Sequence, residues 1–254
     1  MKRKALSILV LCLNLALCAS SQKKLEQQRT KDPKFQYNVG LFYLNEGNVD
    51  EALKYLDKSL SLNPRYYLAW NARGLAYSMK GDLPEAVKSF QKCLESDPTF
   101  TEAHNNLGSI YQEMGFLDKA EEEYKKALSD PTYQSRELPY YNLARLYYGK
   151  EKYEQTLDYL QKSLQINSRM ALAHNLKGLT LEKLNRLEEA ISCYEQALKI
   201  VPEDLNFSYS LAVAYFKNGE FNKAGEIFER IAPKVSDPDT SEKIRQYLKI
   251  IKEK

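Results

Sequence analysis

The chain has 254 residues, 43% of them hydrophobic and 28% charged, with 37 Lys and Arg against 34 Asp and Glu and a formal charge of +3. That apolar fraction can fill a sizeable core and excludes a disordered or fibrous chain. Ten Gly and nine Pro are too few for a β-protein built on tight turns, whereas 19 Tyr is a surplus whose recurrence needs an explanation.

The chain opens Met1, Lys2, Arg3, Lys4, runs apolar from Ala5 to Leu17 and turns polar after Ala19. A basic start, an apolar run and small residues beyond it are the three regions of an export signal. A spanning helix needs about 20 apolar residues, and this run, broken by Asn14, falls short. Residues 1–18 are therefore expected to be a signal peptide. Its end, Leu15, Ala16, Leu17, Cys18, Ala19, Ser20, Ser21, resembles a bacterial lipobox, although Leu17 stands where Gly, Ala or Ser is usual. The resemblance implies that Cys18 is diacylated on sulfur, becomes the new N-terminus and anchors the protein by lipid in the membrane, a role of anchor and not of catalyst. Ala19, which is not an Asp-type retention signal, points to the outer membrane. The alternative is ordinary cleavage between Ala19 and Ser21, leaving a soluble periplasmic protein. Residues 19–32 show no apolar period and read as a polar tether, about 20 Å as a coil and at most about 50 Å when stretched.

From Pro33 one pattern returns. Gly40, Gly74, Gly108, Ala144, Gly178 and Ala212 follow one another at steps of 34, 34, 36, 34 and 34 residues. Three residues after each stands Tyr43, Tyr77, Tyr111, Tyr147, Leu181 or Tyr215. Twelve after each stands Ala52, Ala86, Ala120, Thr156, Ala190 or Ala224, and four further on Leu56, Phe90, Tyr124, Leu160, Tyr194 or Phe228. Pro64, Pro98 and Pro202 close three units in register, and Trp70, the single Trp, occupies the fourth position of unit two. These residues match the tetratricopeptide repeat, whose 34-residue unit is a helix, a turn and an antiparallel helix. The resemblance implies an all-α fold: a right-handed superhelical solenoid of six helix-turn-helix units (33–66, 67–100, 101–136, 137–170, 171–204, 205–236) with a C-terminal capping helix in 237–254. In that last segment Ile244, Tyr247, Leu248 and Ile251 recur at helical spacing, as expected of an element that covers a terminal repeat. The two extra residues around Pro131 to Arg136 are expected to divide the array into two three-repeat halves.

No catalytic constellation emerges. His104 and His174 share position 4 of the first helix in units three and five, two repeats apart, and read as packing residues rather than metal ligands. Cys93 and Cys193 also lie on repeat helices. A disulfide needs Cα atoms within about 7 Å, which three intervening repeats do not allow, so both read as packing residues; Cys12 belongs to the signal. There is no glycine-rich phosphate loop, Cys-x-x-Cys, His-Glu-x-x-His or Gly-x-Ser-x-Gly. Glu121 to Glu123 and Glu188 with Glu189 are expected on solvent faces. No enzyme activity, cofactor, metal or small-molecule substrate is expected.

In this family the first helices line the concave surface. Their groove positions are Tyr37, Leu41 and Leu44 in unit one; Asn71, Leu75 and Met79 in two; and Glu102, Asn105, Ser109 and Gln112 in three. Units four to six add Leu138, Tyr141, Arg145 and Tyr148; Leu172, Asn175 and Leu179; and Tyr209, Val213 and Phe216. Apolar anchors with interspersed amides suit an extended or helical segment of a partner protein. The carboxylate-clamp arrangement of Lys and Asn is missing, and so is the basic stripe that nucleic acid requires. An exported six-repeat chain of this size is similar to the pilotin and pilus-stability lipoproteins of type IV pili, a likeness supported by Asp130 to Arg136 followed by Tyr141, Asn142 and Leu143. That resemblance implies an outer-membrane adaptor assisting a secretin; the alternative is a periplasmic scaffold for envelope or peptidoglycan enzymes. Removal of Lys2, Arg3 and Lys4 would leave 34 basic against 34 acidic side chains, so partner choice is expected to rest on shape and apolar anchors.

Overall fold

The computed structural model describes residues 30–254; the proposed signal, Cys18 and most of the tether lie outside them. Among the described residues the structure is all-α, with thirteen α-helices, one short 3-10 turn and no strand. The described residues divide into two compact units, 30–123 and 124–254. The first holds α1 (Pro33–Asn45), α2 (Val49–Leu62), α3 (Tyr67–Lys80), α4 (Leu83–Ser96), α5 (Thr101–Glu113) and the start of α6 (Leu117–Ser129). The second holds the end of α6, then α7 (Glu137–Gly149), α8 (Tyr153–Ile166), α9 (Ala171–Lys183), α10 (Leu187–Ile200), α11 (Leu205–Lys217), α12 (Phe221–Ile231) and α13 (Pro238–Lys252). The division falls inside α6 and not in the 131–136 loop. There the last turn of α6 is tied forward, the Arg136 guanidinium donating to the Leu128 carbonyl at 3.5 Å.

Local chemistry starts and stops these helices. The side chains of Asp32, Asn48, Asp82, Asp204 and Asp237 accept backbone N–H bonds at the first turns of α1, α2, α4, α11 and α13, satisfying donors that a helix start leaves open. The turn inside every repeat passes through one left-handed residue: Gly47, Gly81, Gly115 and Gly219 in four of them, Glu151 (φ 56°) and Asn185 (φ 59°) in the others. This position lets the second helix fold straight back on the first.

The small residue of each pair lets those two helices close. A Cβ on Gly74 would lie 2.6 Å from the Phe90 ring, one on Gly178 would lie 2.5 Å from Tyr194, and one on Gly40 would lie 2.8 Å from Leu56. All three contacts lie within a repeat, so the glycines govern pairing rather than stacking. Phe90, Tyr194 and Leu56 are fully buried. The last turn of the second helix is pinned to the start of the first where position 27 is Ser: Ser59 donates to the Pro33 carbonyl (2.7 Å) and Ser163 to the Glu137 carbonyl (2.9 Å).

Within each unit, stacking of successive repeats builds the core. In the first unit Leu53, Leu56 and Leu60 pack with Ala69, Ala72 and Ala76 of the next repeat. In the second, Leu181, Ile191 and Tyr194 pack with Leu211, Ala214 and Tyr215. Position 25 of one repeat also reaches the next: Asp57 pairs with Arg73 (2.9 Å), Gln91 donates to the Tyr111 hydroxyl (3.2 Å), and Glu195 accepts from the Tyr215 hydroxyl (2.5 Å). Helix α13 closes the last repeat. Its Ile244 is fully buried, and the Tyr247 ring stacks on Phe228 at 5.0 Å.

Candidate functional site

The first helices of successive repeats adjoin, α1 with α3 and α3 with α5 in the first unit, α7 with α9 and α9 with α11 in the second. Each unit therefore presents its own face of groove positions.

On the first unit's face Met79 is exposed at 56%, while Tyr37, Leu41 and Leu75 are half-buried against the core and Tyr37 meets Tyr66 edge-on at 5.2 Å. Burial also pushes the Tyr37 phenol upward. Three positions assigned to the groove from sequence are instead buried. Leu44 belongs to the core with Ala52 and Leu56, because the last turn of α1 leans onto α2. Asn71 accepts a hydrogen bond from the Asn106 amide at 3.1 Å and so links α3 to α5. Asn105 is as buried as Asn71. Simultaneous loss of Tyr37 and Leu41 would consequently remove packing as well as groove surface.

On the second unit's face Arg145 and Leu172 are exposed, Leu172 at 53%, and the Arg145 guanidinium sits 6.0 Å over the Tyr141 ring. Tyr141, Tyr148 and Leu179 lie half-buried over Ala144, Leu160 and Leu176. Desolvation pushes both of those phenols upward. Asn175, at position 5 of α9, has its Oδ1 buried and without a hydrogen-bond partner. Such an acceptor costs about 1–3 kcal/mol until a donor reaches it. Tyr209, Val213 and Phe216 pack into the terminal core. Phe216 touches Tyr247 at 4.8 Å and Phe221 at 5.3 Å, and Tyr209 meets Phe228 at 6.1 Å. The capping helix thus claims the groove positions of repeat six, as it has no following repeat to cover them.

Glu182 was missed in the sequence. At position 12 of repeat five it accepts from the Tyr194 hydroxyl at 2.6 Å and pairs with Lys217. Its signal was a carboxylate at a position held elsewhere by Leu, Ser, Gln, Tyr or Phe. Glu123, expected in solvent, is 9% exposed and bonded to His104 Nδ1 at 2.6 Å, because position 23 faces the first helix of its own repeat. His174 bonds the Ser168 carbonyl at 2.9 Å. Burial pushes the Cys93 thiol up to about 12 and raises that of Cys193 as well; neither is in a disulfide, and both are poor nucleophiles at neutral pH. Among the described residues no group of three His, Cys, Asp or Glu is placed to hold a metal ion.

Family models described as tetratricopeptide repeat or TPR repeat match residues 37–99, 89–122, 139–169 and 178–219. The chain is a tetratricopeptide-repeat protein. Over 84 residues, a third of its length, it is 34% identical to the peroxisomal targeting signal receptor of Candida glabrata, and the match spans 14% of that receptor. The repeat array also resembles the solved structure of Pseudomonas aeruginosa PilF, with a TM-score of 0.77 and 19% identity over 86% of this chain and 99% of that one. PilW, a type IV pilus biogenesis factor, has a TM-score of 0.77 and 18% identity over 84% of this chain and 97% of that one. YrrB, a TPR protein with an unusual peptide-binding site, has a TM-score of 0.56 and 20% identity over 75% of this chain and 97% of that one. At these identities the likeness to PilF, PilW and YrrB is one of fold. Among the described residues of this tetratricopeptide-repeat protein, no helix is long and apolar enough to cross a membrane.

Proposed function

We propose that this repeat protein is a non-enzymatic adaptor that grips an extended segment of a partner protein on its first-helix faces. The observation that carries this reading is exposed Leu172, at 53%, with the exposed Arg145 guanidinium 6.0 Å over the Tyr141 ring on the second unit's first-helix face. Apolar side chains of a bound peptide would cover Leu172. Groove residues of the first unit, Met79 above all, would offer a contact of their own on that unit's face.

The setting we propose is the bacterial envelope. Residues 1–18 would direct export, Cys18 would carry the lipid, and the partner would be an outer-membrane secretin or another type IV pilus component. The leader-like sequence and the fold shared with PilF and PilW support this setting.

Co-purification followed by mass spectrometry tests the proposal. The parent chain should recover a pilus component, and Leu172→Glu with Asn175→Ala should reduce that recovery at least tenfold with unchanged helicity. Recovery of cell-wall enzymes in place of any pilus component would overturn the pilus setting, and undiminished recovery by the double variant would overturn the groove. Cys18→Ala should move the protein from the membrane to the soluble envelope fraction; an unaltered distribution would remove the lipid anchor.

A further inference from the structure

Positions 2, 5, 9, 12 and 13 of the first helices carry different charge in the two units. In the first unit Lys34 stands against Glu102 and Glu113, whereas in the second Arg145, Lys183 and Lys217 stand against Glu182 alone. That single carboxylate is already engaged, accepting from the Tyr194 hydroxyl at 2.6 Å and pairing with Lys217. Arg145 and Lys183 are exposed, and among the described residues neither has an ion-pair partner. The near-balance of charge over the whole chain hides this local excess.

Leu138, Tyr141, Arg145 and Tyr148 follow one another on α7 at steps of three and four residues and so share one helical face. Among the described residues the Tyr141 and Tyr148 hydroxyls have no hydrogen-bond partner, and the Arg145 guanidinium has only its approach to the Tyr141 ring. Burial raises both phenols above their ordinary value, so each stays an O–H donor at neutral pH. A guanidinium beside a ring still has its N–H fork open to a carboxylate. The face therefore presents N–H and O–H donors around one fixed positive charge. Leu138 is exposed on the same stripe, and Leu172 on the adjoining α9.

On the groove reading proposed above, with which it stands or falls, we infer that the second unit's face takes an acidic segment of a partner protein, with an Asp or Glu side chain on Arg145 and an apolar side chain over Leu172. A neutral segment would leave the guanidinium and both hydroxyls bonded to water alone, and a basic one would meet like charge from Arg145 and Lys183. Because Arg145 is exposed, the ion pair contributes more to the choice of partner and the rate of encounter than to tight binding, and salt weakens it. The first unit's face, where carboxylates are in excess, does not share the preference.

Selection of a random dodecapeptide phage library on the immobilised full chain in mild detergent tests this. The parent should enrich peptides with Asp or Glu at a fixed spacing from a large apolar residue, and Arg145→Glu should enrich Lys or Arg at that place. An enriched peptide, labelled with fluorescein, should lose at least tenfold in affinity for Arg145→Glu and several-fold for Arg145→Gln, with the helical circular dichroism unchanged. Replacing the peptide's acidic residue by Arg should restore its binding to Arg145→Glu. Peptides that are lost on Leu172→Glu but show no acidic preference overturn the acidic partner and leave the groove standing. No enrichment, or enrichment that Leu172→Glu leaves untouched, overturns the groove reading and the acidic preference with it.

Discussion

Glu151 is the residue at which local chemistry and fold disagree most openly. Its equivalents in four repeats are left-handed glycines, and in repeat five the residue is Asn185, a type that tolerates that conformation. Glu151 is exposed and forms no packing that would offset its backbone strain. Removing the strain is worth about 1–2 kcal/mol, and the added freedom of an unfolded glycine takes back about 0.5–1. Glu151→Gly should therefore raise stability by roughly 0.5–1 kcal/mol, read as a higher urea midpoint for the transition that includes α7 and α8. A fall would mean that Glu151 makes a compensating contact in solution.

At the scale of elements, a repeat holds together through two short-range devices: the glycine cleft and the serine pin. Both couple a pair of helices that are close in sequence. Ser163 is fully buried and donates to the Glu137 carbonyl, so Ser163→Ala should cost about 1 kcal/mol. The loss should appear first as faster amide exchange in α7 and α8, and uniform loss across the chain would contradict a local pin. The cap is held differently. Asp237 accepts the Thr240 N–H at 2.8 Å, and the helix it starts brings Tyr247 onto Phe216 and Phe228. Asp237→Ala should accelerate exchange in 238–252 several-fold, with little change in α7 to α9.

The whole molecule carries a pH dependence distributed over its tyrosines. Tyr37, Tyr141, Tyr148, Tyr194, Tyr209 and Tyr215 all have phenols raised above the ordinary value, with burial the leading cause in each. Tyr194 and Tyr215 are raised further by the carboxylates of Glu182 and Glu195. Between the unfolded value near 10 and the higher folded values, the native chain binds more protons than the unfolded one. Stability must then fall as pH rises above about 10, and these phenols contribute no slope below it. Thermal melts from pH 8 to 11 combined with phenolate absorbance should show late, cooperative ionisation coincident with unfolding. Early ionisation of all 19 tyrosines before any loss of helicity would refute the protective burial.

The repeat, its recurring small and large positions and the helical segment that follows the last unit were legible in the chain itself. Each is a relation between residues about 3 to 30 positions apart, and a 34-residue period exposes such relations directly. Burial across repeats was not legible in that way. It depends on what each neighbouring element supplies, and position within the repeat does not specify that. Phe216 and Tyr209 look like groove residues until α13 lies over them; Glu123 looks solvated until it faces His104; and Asn71 looks like a free amide until Asn106 reaches it. The unsatisfied oxygen of Asn175 and the 59% exposure of Phe42 are visible only when the surroundings of every side chain are known. Sequence alone determined which helices form and how each pairs with the next, because those contacts are local. Tertiary structure decided which side chains are left without a partner, because exposure is set by all neighbours at once.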